Sequence, residues 1–413
     1  MKKILSAVMC LVFLLGIFTA CGKNTSNDNN GNTETKKISL KVWGSQDDQE
    51  FLKKAVETFK SKHSSVDWNI TFAVVGEDKA QNEVLKDVSA AADVFCFASD
   101  QITELHKAGA LYRITRDDMM VKSRNTDESI KAATIDNNLY AYPSSADTCF
   151  LYYDKSKLTE DEVRSLESIM FKDLGNNVTN FAMKINDGWY NSAFFLTAGC
   201  TLFGENGTDP TVCDFNNENG VMAANYMIDL ASNEKFKNFD DAKIKSGFAS
   251  GTLASAVSGS WNANDIKKSL GENFGVAKLP TIRLNEQDKQ LITMSNFKFY
   301  GVNAQTKHPE EAMDLANYLT GEDVQKLRIT QKSYAPTNKM LIADEETLNS
   351  NAVVRALTQQ TQNSVLQTSI PQITNFWTPA EAFGTGVDDG TITKSNVKAK
   401  LDEFVKSILS KIS

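Results

Sequence analysis

The chain has 413 residues, of which 41% are apolar and 23% charged; these ordinary proportions supply a core and exclude wholesale disorder, and the length predicts two or three domains. Lys and Arg number 44 against 52 Asp and Glu, a net charge of −8, which argues against nucleic acid as a partner because phosphate binding needs a basic face. The three His (His63, His106, His308) are far apart, so neither a His-based metal site nor a cofactor is expected.

Residues 1–20 read as an address. Lys2 and Lys3 precede the apolar run Ile4–Phe18, the pattern of a secretory signal peptide. A retained membrane anchor is the competing reading, but the run is short of the about 20 residues a bilayer core needs. Thr19-Ala20-Cys21-Gly22 resembles the bacterial lipobox, with Phe18 where that pattern usually has Leu. The resemblance implies a diacylglyceryl group on Cys21 and cleavage before it, which places the protein on the extracellular face of the membrane as a lipoprotein of Gram-positive type. Loss of Lys2 and Lys3 would take the charge from −8 to −10. Residues 21–37 contain no apolar residue after Cys21 and read as a flexible tether.

Ile38–Trp43 alternates apolar and polar side chains, as a half-buried strand does. Gln49–Lys62 places Phe51, Leu52, Ala55, Val56 and Phe59 on one helical face. A strand over Val66–Val75, a helix over Gln81–Ala91, a strand over Asp93–Phe97 and a helix over Ile102–Ala108 follow, the last stopped by Gly109. This β-α-β-α-β-α order predicts an open α/β sheet, mainly parallel, with ligands at the carboxyl ends of its strands. A second α/β region begins after Tyr152. Thr159-Glu160-Asp161-Glu162 reads as a capping box for a helix to Phe171. Phe181–Ile185, Leu253–Val257 and Tyr300–Asn303 read as strands. Trp189–Ala198, Gly220–Ser232, His308–Leu319, Asp323–Gln331 and Ser395–Ile412 read as helices. Of the six Cys, Cys96 and Cys149 sit in apolar, strand-like runs. Cys200 and Cys213 flank a turn-rich stretch and read either as a disulfide across a hairpin or as two small buried thiols.

Six stretches in order carry a resemblance. They are LKVWGSQDDQ (40–49), DVFCFASDQITELHKAGAL (93–111), NNLYAYPSSADTCFLYYDKSKL (137–158), KINDGWYNSAFFLTAGC (184–200), SGFASGTLASAVSGSWNANDIK (246–267) and IPQITNFWTPAEA (370–382). Together they resemble the maltose/maltodextrin-binding proteins among the bacterial solute-binding proteins that serve ABC importers. The resemblance implies an α/β, two-lobed periplasmic-binding-protein-like fold with a hinged cleft, mainly parallel sheets flanked by helices. It implies a first lobe over 38–146 plus 296–345, a second over 149–292 plus 350–413, and hinge crossings near 146–149, 291–296 and 341–351.

A sugar ring has an apolar face that suits an aromatic platform and a rim of hydroxyls that suits carboxylates. On the first lobe the resemblance points to Trp43, Asp47, Asp48, Glu77 and Asp100. Trp43 also fits a core Trp at a strand end, and Asp100 also fits a helix N-cap. Asp48 stands where relatives often have a basic residue, Phe97 where they often have Trp, and Gln101 where some have Arg. Asp147 lies at the first crossing, where a solvated hinge carboxylate is the plain alternative. On the second lobe the candidates are Asp187, Trp189, Tyr190, Trp261 and Trp377. Ala263, where relatives often have a further Trp, implies one stacking surface fewer. Trp68 lies in an alternating strand and reads as structural.

The leading function is capture of malto-oligosaccharides by a monomer that delivers them to a two-subunit ABC permease and its ATPase; the chain itself has no P-loop. The rivals are an extracellular glycoside hydrolase using two carboxylates, and a sensory lipoprotein on the same fold.

Overall fold

The computed structural model describes residues 36–411; the expected signal peptide, Cys21 and nearly all of the expected tether lie outside them. The first strand, Lys36–Gly44, buries Ile38, Leu40 and Val42 and exposes the alternate Lys37, Ser39 and Lys41. The helix Gln49–Lys62 buries the five apolar residues its spacing picks out, Leu52, Ala55, Val56 and Phe59 in the core with that face and Phe51 under the Arg328 guanidinium. Fully burying one such side chain contributes about 1.5–3 kcal/mol.

The first sheet orders its strands as Ser364–Leu366, Thr293–Val302, Val94–Ala98, Lys36–Gly44 and Val66–Val74, and Tyr142–Asp147 also pairs with Thr293–Val302. The second runs Phe274–Ala277, Phe150–Asp154, Ser255–Ser258, Phe181–Ala182 and Phe236–Lys237. Parallel pairs join the βα units of each sheet. Next to the crossings, Thr293–Val302 pairs antiparallel with Val94–Ala98 and Tyr142–Asp147 but parallel with Ser364–Leu366, and Phe150–Asp154 pairs antiparallel with both of its neighbours. Both sheets are therefore mixed, a departure from the mainly parallel expectation that arises where the chain passes between them.

The chain leaves the first sheet at Asp147 and joins the second at Phe150. Buried hydrogen bonds fasten the crossings to one another. The Thr148 hydroxyl lies 2.7 Å from the Thr293 hydroxyl and 2.7 Å from the Met294 carbonyl. The fully buried Gln360 accepts from the Leu279 amide (2.8 Å) and donates to the Leu291 carbonyl (3.0 Å). Ala146 bridges to Ala335.

A second core joins the helices Gly188–Thr197, Glu218–Ala231, Thr374–Asp388 and Val397–Ile408. Its centre is aromatic: Phe195 stacks on Phe215 at 4.5 Å, and Phe383 on Phe404 at 5.2 Å.

Two local expectations change. The helix after the second strand is Ala80–Lys86, ended early by a turn in which the Asp87 carboxylate accepts from the Ser89 and Ala90 amides. The Thr159 box forms, with Thr159 N donating to Glu162 Oε2 at 2.8 Å and Glu162 N to Thr159 Oγ1 at 3.3 Å. It heads only a 3-10 turn, Glu162–Arg164, because Ser165 is extended and caps a separate helix, Leu166–Phe171. Cys200 and Cys213 are free buried thiols. Leu202, not Cys200, stands opposite Cys213, which puts the two thiols out of register for a disulfide, and the Cys200 thiol donates to Asn217 Oδ1 at 3.6 Å.

Candidate functional site

On the first sheet, the site grows from loops at the carboxyl ends of parallel strands. Asp48 follows the first strand, Glu77 the second, Asp100 the third, and Asp147 ends the strand leading into the crossing. Gln101 ties the loops together: its side chain accepts from Gln81 N at 2.9 Å and donates to the Glu77 carbonyl at 2.7 Å. Gln101 is thus a structural fastener. Phe97 is fully buried in the core, so it supplies no platform.

Asp48 is 3% exposed. It pairs with Lys332 at 3.4 Å and accepts from the Tyr334 hydroxyl at 3.3 Å, an internal ion pair in place of a free sugar-facing carboxylate. Asp47 is exposed, and its carbonyl accepts from Lys332 at 2.6 Å. Glu77 Oε1 lies 3.2 Å from Lys298 Nζ. Burial pushes the Asp147 carboxyl up to about 6, against the pull of the Lys298 charge, with Glu77 adding to the rise. Its Oδ1 is buried without a hydrogen-bond partner. Asp100 is partly buried, and that burial also raises its carboxyl. It caps no helix, since the helix Ile102–Lys107 has no side-chain cap. Trp43 is half-buried against the core, on the strand face opposite Val42.

The second sheet contributes a recess of about 400 Å³ lined by Lys184, Asp187, Trp189, Tyr190, Asp240, Asp241 and Trp261 among others. Asp187 caps the helix Gly188–Thr197 by accepting from Trp189 N at 2.9 Å, and its other oxygen takes Lys184 Nζ at 2.9 Å. The Trp189 indole Nε1 is buried with no acceptor. Trp261 is 46% exposed, and its Nε1 donates to Asp241 Oδ2 at 2.9 Å. Gly259 makes that pose available, because a Cβ there would lie 1.9 Å from the indole ring. Trp377 packs edge-on against Phe376 at 5.1 Å. Phe376 in turn abuts Gly188, so Trp377 borders the helix start and is not among the residues lining the recess.

The two walls meet at the crossing. The Tyr152 hydroxyl donates to the Gly259 carbonyl at 2.8 Å. Burial first, then the charges of Asp147 on one wall and Asp241 on the other, raise its pKa. Cys149 likewise feels Asp147 and Asp187 after burial.

Sequence reading missed Lys298, Lys332 and Tyr334 on the first wall and Lys184, Asp240 and Asp241 on the second. The available signals were slight: one Lys inside an aromatic strand (Phe297, Phe299, Tyr300), and a paired Asp before a helix. Among the described residues, no group of three or more His, Cys, Asp or Glu could hold a metal ion, and no helix is long and apolar enough to cross a membrane.

The family described as bacterial extracellular solute-binding protein matches residues 54–355. The chain belongs to this family. It is a solute-binding protein of the kind that serves ABC importers, not a hydrolase. It is 27% identical to the galactooligosaccharide-binding protein of Bacillus subtilis (strain 168), over 100% of this chain and 97% of the relative. The maltodextrin-binding protein MdxE of the same organism is 24% identical over 98% and 97%. Among solved structures, the maltodextrin-binding protein MalE1 of L. casei BL23, without ligand, superposes with a TM-score of 0.83. It is 29% identical, over 91% of this chain and 100% of that one. The two-lobed fold follows from that match.

Proposed function

We propose that this solute-binding protein captures malto-oligosaccharides of a few units between its walls and hands them to an ABC importer. The observation that carries this reading is a recess in which indoles stand beside carboxylates. Trp189 and Trp261 line it together with Asp187, Asp240 and Asp241, and the facing wall adds carboxylates at strand ends. Apolar sugar faces suit the indoles and hydroxyl rims the carboxylates. The buried, unpaired Trp189 Nε1 offers a donor and Asp147 Oδ1 an acceptor, as a ligand bearing both hydroxyl donors and oxygen acceptors requires. The names of the relatives support the class of sugar.

In this reading the lobes are 38–146 plus 296–345 and 149–292 plus 350–413, and they close about the crossings. Contacts to both walls drive closure, because only a ligand with higher affinity for the closed state shifts the balance. Cys21 carries the lipid anchor, residues 22–37 are the tether, and the protein works as a monomer beside a two-subunit permease and its cytoplasmic ATPase. A galacto-oligosaccharide is the second reading, favoured by the relative matched over the whole chain. Calorimetry with maltotriose and with β-1,4-galactotriose tests both. Heat of binding with the sugar recovered intact supports capture; silence with both sugars refutes it.

A further inference from the structure

The strand Thr293–Val302 carries a single charged side chain, Lys298. Its register sets its aim. Lys298 pairs with Ala98 on one side and Ser145 on the other, so the side chain emerges at the carboxyl ends of the neighbouring strands. There Nζ lies 3.2 Å from Glu77 Oε1 and 4.3 Å from the centre of the Tyr334 ring. The ring and the strand backbone fix the ammonium in place.

The charges on this wall divide unequally. Asp48 is served by Lys332 and Tyr334. Glu77 has Lys298 at 3.2 Å, and Asp147, opposite Asn296 and diagonal to Lys298 in the register, has no ion pair of its own; Glu77 Oε1 and Asp147 Oδ1 are both buried without a directed hydrogen bond. The ammonium thus supplies charge to the pair and leaves acceptor capacity open. A buried carboxylate oxygen with no bond is costly, and the cost is recovered when a ligand makes the bond.

We propose that Lys298 is the positioning residue of this wall, keeping Glu77 and Asp147 as two open acceptors for neighbouring hydroxyls of the bound sugar. The proposal rests on the sugar-capture reading for its ligand, but the coupling it describes belongs to the protein alone. Burial favours a protonated Asp147, and Glu77 pushes the same way; Lys298 opposes both. The other titratable groups that feel Asp147 are Tyr334 on the first lobe, with Asp48 and Lys332 against it, and Tyr152 and Cys149 at the crossing. With Lys298 neutral, Asp147 would carry a proton at neutral pH and become a donor where an acceptor is needed.

The test replaces Lys298 by Met and by Arg in the chain without its signal peptide, with Lys298→Gln as the alternative neutral variant should Met misfold. Carboxyl ¹³C shifts follow the titration of Asp147 without sugar, and calorimetry with maltotriose is run from pH 5 to 8.5. Lys298→Met moves the Asp147 midpoint up by about one pH unit or more, and Lys298→Arg restores it. The pH below which maltotriose affinity falls moves with it, and at pH 7 the Met variant binds at least about tenfold more weakly. An Asp147 midpoint unchanged in both neutral variants overturns the proposal, as does a shifted midpoint with unchanged affinity. If the wild type binds neither maltotriose nor β-1,4-galactotriose while the midpoint shifts, the sugar-capture reading and the assigned acceptor role fail together, and the electrostatic coupling alone survives.

Discussion

Asp147→Asn should make the empty protein more stable and a poorer binder, and the gain should depend on pH. The folded protein holds the Asp147 proton up to about pH 6, whereas the unfolded chain releases it near the ordinary 3.8. Between those values the folded state binds more protons, so this group's contribution to stability falls as pH rises through the window. Above pH 6 the difference from 3.8, at about 1.36 kcal/mol per pH unit, sets a ceiling of about 3 kcal/mol on the cost of ionising Asp147 in place. Asn keeps the shape without the charge, and Lys298 then loses part of its neutralisation. We expect a gain of about 1–3 kcal/mol at pH 7.5 and almost none at pH 4. Urea unfolding of the sugar-free variant and wild type at both pH values measures it. Maltotriose affinity should fall at the same time by about tenfold, since a hydrogen bond to a charged acceptor contributes about 1.5–3 kcal/mol. A variant less stable than wild type at pH 7.5, or equally stabilised at pH 4, would refute the reasoning.

Trp261→Ala should weaken maltotriose binding by about 1–3 kcal/mol through lost stacking and burial, with little change in urea midpoint because the indole is half-exposed. Gly259→Ala should reproduce much of that loss without touching the indole, since the new Cβ displaces the ring; unchanged affinity in calorimetry would show that the indole's pose is irrelevant to binding. Trp68→Ala should do the reverse: the ring packs on Phe59 at 5.0 Å and donates to the His63 carbonyl, so stability falls and affinity stays. Thr148→Val should cost about 1–3 kcal/mol in urea unfolding by stranding the Met294 carbonyl and Thr293 hydroxyl. Thiol titration of residues 36–411 after unfolding should find Cys96, Cys149, Cys200 and Cys213 all reduced; a mass deficit of one disulfide would contradict the register of Leu202 opposite Cys213.

Much of the fold was legible because burial is periodic. The helix Gln49–Lys62 carries its apolar stripe at helical spacing, and Lys36–Gly44 alternates as a strand must. The helix Gly188–Thr197 was placed at Trp189–Ala198 although nearly all of its residues are buried and it has no polar face; the Asp187 cap at its start emerges only in the structure. Where the reading faltered, local signals met longer-range demands. The Thr159 box is a sound cap, yet Ser165 breaks the helix behind it. On the site, carboxylates placed by strand ends were visible, but their partners were not. Lys298, Lys332 and Tyr334 come from segments more than 140 residues beyond Asp147 in sequence, and only the antiparallel return of Thr293–Val302 brings Lys298 beside Asp147. Asp48 shows the same limit: its neighbours in sequence suggest an open loop, and its neighbours in space neutralise it.

The fastened crossings have a mechanical consequence. A single covalent link between two bodies leaves them free to twist, splay and shear. Here Thr148 ties the first crossing to the second through Thr293 and Met294, while Gln360 and the Ala146–Ala335 bridge brace the segments on either side, as a pin held between two knuckles. Relative motion is thereby confined to few degrees of freedom, so a sugar that touches both walls need not search for the productive alignment, and any surface a permease reads is presented in one geometry per state.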